Sequence, residues 1–370
     1  MRWQLRFLPF FVPALILGGF WSGSGLSRSI AAEPQATKVG FMCVGSISDV
    51  GWNCAHDAGR LYLEKQSHNT IKTVIAENIP ESAEAERLLE KMIAQGNTII
   101  FATAYGYMES TVKCAQRHPN VVFMQMSRFA KLPNLGCYQQ VQYQPLYIAG
   151  IVAGRMTKTN KLGFIASHPI PNLMQEINAF ALGARSVNPK VQTNVVWINK
   201  WSDLPVEAEA VKSLGEQGID VIANGQDNQT AILKACQDHG IYCVGLYMDG
   251  RKIAPDRWLT GAGLDWGPFY ARVVDSFRDK TWKPIMLNPD IKSGCAKLLS
   301  FGDTVPKPVR DEALQKEALL KSGKLVVFSG PLLDREGKKR LNAGQSATVE
   351  QLTQMDWFVP GVNGSLARRD

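Results

Sequence analysis

Two α/β lobes, each built on a doubly wound parallel sheet, are the fold this sequence predicts, and three observations carry the expectation. Short apolar, β-branched runs recur in two series of four: Val39 to Val44, Ile71 to Ala76, Thr98 to Ala102 and Val121 to Met126, then Leu162 to Ala166, Val191 to Ile198, Ile219 to Ala223 and Tyr242 to Leu246. Stretches with apolar residues three and four apart separate them, among them Ala83 to Ala94, Leu173 to Val187, Glu207 to Gln217 and Thr230 to His239. That alternation is the pattern of βαβ units. A polar, glutamine-rich break from Cys137 to Gln144 divides the two series.

The elements are read after a leader is set aside. Arg2 and Arg6 precede an apolar run from Phe7 to Phe20, and small residues at Ser29 and Ala31 mark a cleavage site, so residues 1–31 are expected to be a removed signal peptide. An uncleaved anchor is the competing reading, but the run is shorter than the roughly 20 residues of a bilayer span. No cysteine lies near the cleavage point, so lipid attachment is not expected. A mature chain from Ala32 exceeds the size at which single cores split. The expected lobes are 32–141 with 262–323, and 142–261 with 324–370. Residues Leu259 to Asp265 would form an extended crossing, and Lys324 to Phe328 a final strand.

Without Arg2, Arg6 and Arg28 the formal net charge falls from +8 to +5, spread along the chain without a basic stripe. Nucleic acid is therefore not an expected partner. The seven cysteines lack the close spacing of a zinc site. Cys236 and Cys243 are the single candidate disulfide pair, with buried reduced thiols as the equal alternative. No metal, no cofactor and no catalytic residue is expected, and the chain should be a monomer.

In open parallel sheets, ligands lie beyond the carboxyl ends of the strands. The first such loop contains Ser48, Asp49, Trp52 and Asn53, and Asp49 either caps the following helix or faces a ligand. Later strand ends add Tyr105, Ser127, Trp201, Asp227, Asp249, and the pair Asp265 and Trp266. Aromatic planes suit a flat ring, and Asp or Asn at its edge supply identifying hydrogen bonds. These eleven residues are the expected ligand-binding set. Trp197, within its strand, reads as core.

The chain resembles the basic membrane protein family of ABC-transporter substrate-binding proteins, the purine nucleoside receptor type. The resemblance is carried by Lys38-Val39-Gly40-Phe41 leading into Asp49-Val50-Gly51-Trp52-Asn53, by Tyr147 to Gly154, by Gly163-Phe164-Ile165 and Asn178 to Ala184, and by Phe328-Ser329-Gly330-Pro331 and Met355 to Val362. It implies a type I periplasmic binding protein fold with three crossovers, a purine-like ligand held between the lobes, and an ABC permease as partner. Carried over by motif, Asp49 and Asn53 match the first loop, and Asp227 and Asp249 the later strand ends. Trp52, Ile170-Pro171, Trp201 and Asp265-Trp266-Gly267-Pro268 look like the branch that takes free bases such as adenine. Leu264-Asp265 stands where such members often carry His-Asn, which leaves base against nucleoside open.

Two other readings stand beside import. An exported enzyme acting on a purine-like substrate finds no support in phosphate-loop, dinucleotide or nucleophile-elbow motifs. His56, His68, His118, His168 and His239 are scattered, and of these only His168 follows a strand end. A sensor docking on a membrane receptor would share the fold and the closure.

Overall fold

A computed structural model describes residues 36–126 and 132–366. The expected signal peptide and Ser127 lie outside the described residues. Strands β1 (Thr37–Met42), β2 (Ile71–Ala76), β3 (Ile99–Ala102), β4 (Val122–Met126) and β5 (Leu135–Tyr138) form one sheet, interleaved with helices α1 (Trp52–Gln66), α2 (Ala83–Ala94) and α3 (Met108–Arg117). After α4 (Tyr143–Met156), the chain builds a second sheet from β6 (Lys161–Ala166), β7 (Gln192–Trp197), β8 (Val221–Gly225), β9 (Tyr242–Tyr247) and β10 (Trp258–Leu264), with α5 (Pro171–Val187), α6 (Leu204–Glu216) and α7 (Thr230–His239) between. Helix α8 (Gly267–Arg278) returns to pack on α1, and β11 (Met286–Leu287) pairs with β5 in the first sheet. The chain then rejoins the second sheet at β12 (Ala296–Leu298). Helix α9 (Lys307–Lys321) packs on α4; the hairpin of β13 (Leu332–Leu333) and β14 (Lys339–Leu341), a short α10 (Val349–Thr353) and β15 (Val362–Asn363) complete the chain.

The sheet orders are β11-β5-β4-β3-β1-β2 and β12-β10-β9-β8-β6-β7-β15, and three chain crossings join them. The first sheet is parallel throughout, and in the second only β12 runs antiparallel. Helices on both faces leave β3, β4 and β10 buried at every position, which is why these runs are apolar without alternation.

The segment expected as the return of the first lobe, 262–323, does not stay with one sheet. Leu259 to Leu264 is a buried strand beside β9, and Ala296–Leu298 pairs with it; only α8 and β11 between them serve the first sheet. Lys324 to Phe328 forms no strand: Val327 and Phe328 pack into the core from irregular chain, and the last strand is β15. Cys236 and Cys243 are both buried and unpaired, so the alternative of reduced thiols describes them. Among the described residues, no helix is long and apolar enough to cross a membrane.

Helices α4 and α5 are the most closely packed helix pair, and small residues make that approach possible. A Cβ on Gly150 would stand 2.1 Å from the carbonyl oxygen of Phe180, and one on Gly183 1.9 Å from that of Tyr147. Backbone cannot yield as a side chain can, so the glycines of the Tyr147–Gly154 and Asn178–Ala184 motifs are required by packing. Overpacking a close contact typically costs 1–3 kcal/mol. Gly183→Val is expected to reach about 3 kcal/mol, read as a lower Tm in calorimetry; an unchanged Tm would show that the helices separate at no cost.

Candidate functional site

Each sheet reverses its strand order once, between β1 and β3 in the first and between β6 and β8 in the second. Loops leaving the carboxyl ends at such a reversal diverge and leave a crevice. The two crevices face each other. Val44, Trp52, Thr103, Ala104 and Tyr105 from the first lobe, and Ile170, Leu173, Glu176, Trp201, Asp227 and Tyr247 from the second, line a narrow, partly open cavity together with Met126, Gln140 and Asn172. A wider mouth adjoins it, lined by Ser48, Asp49, Asn53, Glu81, His168 and Lys200 and sharing Val44, Trp201 and Asp227 with the inner cavity.

Side chains of the first loop largely hold the loop itself. Asp49 accepts the main-chain N–H groups of Gly51, Asn53 and Cys54 at 2.8, 2.9 and 3.0 Å and the Asn53 amide at 2.7 Å. It therefore caps α1. Burial nevertheless raises its pKa against these donors. Asn53 is fixed in turn, its oxygen accepting from the N–H of Gly45 at 3.2 Å. Glu77 anchors the same loop by accepting from the N–H of Ile47 at 2.8 Å.

Main-chain contacts close the cleft. The N–H of Trp52 donates to the carbonyl of Asp227 at 2.9 Å, and the Gln229 amide donates to the carbonyl of Val50 at 2.7 Å. A Cβ on Gly51 would lie 1.7 Å from the same Asp227 oxygen, so only glycine permits this approach. Glu81 adds a side-chain tie, accepting the Trp201 indole N–H at 2.9 Å and the Gly106 N–H at 2.6 Å. Val50 and Tyr247 hold φ of +48° and +70°. Left-handed backbone in such residues is costly and collects at functional sites.

Inside, four aromatic rings surround two acids. The Trp52 indole is fixed by donating to the Thr103 carbonyl at 3.0 Å and meets Tyr247 edge-on at 5.1 Å. His168, its pKa lowered by burial, stands edge-on to Trp201 at 4.7 Å. Glu176 is 3% exposed, and its Oε2 has no hydrogen-bond partner among the described residues. Burial pushes its carboxyl up to about 8. Asp227 is raised well above the usual carboxylate range, first by burial and then by Asp49, Glu81, Glu207 and Glu176.

Of the expected residues, Trp52, Tyr105, Trp201 and Asp227 thus meet in the inner cavity, and Ser48, Asp49 and Asn53 stand at its mouth. Three do not join them. Trp266 is fully buried behind Trp52, stacked on His56 at 4.8 Å and on Tyr270 at 6.0 Å, as part of the α1–α8 interface. Asp265 lies half-exposed, 3.4 Å from Lys297, and accepts the Gly267 N–H. Asp249 pairs with Arg251 at 2.8 Å in a separate surface hollow. Residues outside the expected set are Glu176, Tyr247, Gln140, Asn172 and Glu81, of which Tyr247 stands at a strand end that the sequence marks by its aromatic and acid. A signal for Glu176 was present, since it is the one acid in a helix whose other residues are mostly apolar or small.

The unfolded chain releases the Glu176 proton near pH 4.5, whereas the folded chain holds it to about 8. Stability from this group is whole below the first value and is lost as pH rises through the second, by at most roughly 1.4 kcal/mol per pH unit. Asp227 acts in the same direction. The Tm of the unliganded protein is expected to fall between about pH 5 and 8, less steeply in Glu176→Gln; scanning calorimetry showing a rise would contradict the assignment.

A family profile for PnrA-like ABC transporter substrate-binding proteins matches residues 36–331. A purine-binding protein of Brucella abortus is 37% identical over 345 residues, covering 93% of this chain and 98% of its own. A protein of Haloferax volcanii, provisionally named as an ABC transporter glucose-binding protein, is 30% identical, covering 90% of this chain and 82% of its own. A solved ABC-transporter solute-binding protein from Conexibacter woesei superposes with a TM-score of 0.65 at 20% identity, covering 78% of this chain and 98% of that one. At that identity it bears on fold alone, and the fold is the type I periplasmic binding protein arrangement.

Proposed function

We propose, from the premise that this chain belongs to the PnrA-like ABC transporter substrate-binding family, that it captures a purine base or nucleoside between its lobes in the periplasm and delivers it to an ABC importer. The observation that carries the reading is the inner cavity, where Trp52, Tyr105, Trp201 and Tyr247 supply ring surfaces and Glu176 and Asp227 supply edge groups. Offset or edge-on aromatic contacts add about 0.5–1.5 kcal/mol each beyond area burial, which suits a planar heterocycle. The name of the Brucella relative points the same way.

Binding, rather than turnover, is supported by the state of the polar groups. Of the acids at the mouth, Asp49 is consumed in holding the first turn of α1 and Glu81 in holding Trp201 and Gly106. Histidine enters the walls only at the mouth, as His168, among the described residues. Contacts from both lobes let a ligand favour the closed form over the open one, which is how it shifts their populations. Ser48, Asp49 and Asn53 then act by shaping the mouth, while the rings and the two inner acids touch the ligand. The protein works as a monomer that presents its closed lobes to a permease.

Thermal-shift screening of the full chain with adenine, hypoxanthine, adenosine and glucose tests the reading. Purines are expected to raise Tm by mass action and glucose to leave it unchanged. A shift with glucose alone would replace purine by sugar. By calorimetry, Trp201→Ala is expected to weaken purine binding about tenfold, the loss of roughly 1.4 kcal/mol. Trp266→Ala should instead lower stability by about 3–5 kcal/mol through the α1–α8 interface.

A further inference from the structure

The two inner acids differ in what surrounds them. Asp227 borders the mouth as well as the cavity and has Asp49, Glu81 and Glu207 around it. Glu176 lines only the inner space, from the first turns of α5, among Ile170, Leu173 and Tyr247. Its Oε2 is closed off from solvent and without a partner among the described residues. Orphaned buried carboxyl oxygens are rare, because each one costs the full desolvation of that atom. A buried acid that borders a cavity with one oxygen unpartnered is a group that a ligand atom would satisfy.

Resting on the reading of this cavity as a purine site, we propose that Glu176 is its specificity-determining residue, and that its neutral carboxyl pairs with a heterocycle edge carrying one hydrogen-bond acceptor beside one donor. A protonated carboxyl offers one O–H donor and one carbonyl acceptor side by side, whereas a carboxylate offers acceptors alone. The 6-aminopurine edge, a ring nitrogen next to an exocyclic N–H, is complementary to the first form. A ring-nitrogen acceptor set against the second would leave two buried acceptors facing each other.

The groups facing Glu176 keep it in the neutral form. Tyr247 from the end of β9 and Asp227 from the loop after β8 are the titratable neighbours across the second lobe, and Tyr105 stands on the wall supplied by the first. No lysine, arginine or histidine lines the inner cavity among the described residues. The cations of the mouth are Lys200, paired to Asp203 at 2.6 Å, and His168, whose charge is opposed by burial. With nothing cationic to stabilise an anion there, desolvation decides, and the proton is held to about pH 8.

Isothermal titration calorimetry of the full chain with adenine across pH 6–9 tests this. For a group titrating near 8, the wild-type Kd is expected to weaken about tenfold from pH 7 to pH 9. Glu176→Gln keeps one donor and one acceptor, so it should bind within about threefold of wild type at pH 7 and lose the part of the pH dependence centred near 8, leaving only what Asp227 contributes. Glu176→Leu, which removes both, should bind about thirtyfold more weakly or worse. An unchanged affinity in Glu176→Leu, or the same pH profile in wild type and Glu176→Gln, would overturn the role of Glu176 while leaving the purine site in place. Wild-type protein that binds neither adenine nor hypoxanthine at any pH would overturn both.

Discussion

The short approach of Gly51 and Trp52 to the carbonyl of Asp227 sets the geometry on which the site depends. Because the contact is between main chains, it fixes the separation of the two lobes at that point and leaves no room for water or a side chain. Around it, Val50 and Glu81 tie the same loops to Gln229 and Trp201. What these contacts enclose is then a space of low polarity, in which charge is expensive and a hydrogen bond is stronger than in water. The raised carboxyls of Glu176 and Asp227 are consequences of that enclosure.

The lobes contribute unequally to the interior. From the first come an indole anchored on Thr103, the Tyr105 loop and the capped N-terminus of α1; both inner acids come from the second. Bringing the lobes together removes water from those acids, so closure around an empty interior is opposed by desolvation. A ligand that satisfies them removes the opposition. In the proposed reading, the affinity of the cleft and its open–closed balance would draw on the same two side chains.

Much of the fold is legible in the sequence because central parallel strands such as β3 are buried apolar runs, while outer ones such as β2 and β7 keep a β-branched signature. What is not legible is which sheet a short or late strand joins. Ala296–Leu298 and Val362–Asn363 take their places through pairing with β10 and β7 far away in the chain, and no local pattern encodes that. Lys324 to Phe328 carries a strand-like run, yet its apolar side chains serve only to fill the core. In the site, Trp52 and Trp266 have the same signature, an indole at a helix start after a strand. Only the packing of α8 on α1 turns the second one inward. Asp249 follows a strand end as expected, but Tyr247, two residues earlier, takes the cavity while Arg251 takes the carboxylate.

The balance of polar and aromatic groups bears on the class of ligand. A sugar presents hydroxyls around its whole rim, each losing hydrogen bonds to water on entry, so a site for it needs polar partners on every side. Here the polar side chains of the inner walls, beyond the hydroxyl and indole groups of the four large rings, are Thr103, Gln140, Asn172, Glu176 and Asp227. Thr103 is already donating to the Met42 carbonyl, and Asn172 already accepts from Gln139 at 2.5 Å. Glu176 Oε2 and the Gln140 oxygen have no partner among the described residues. That small polar complement among four large rings is what favours a fused heterocycle over a hexose in the proposed reading.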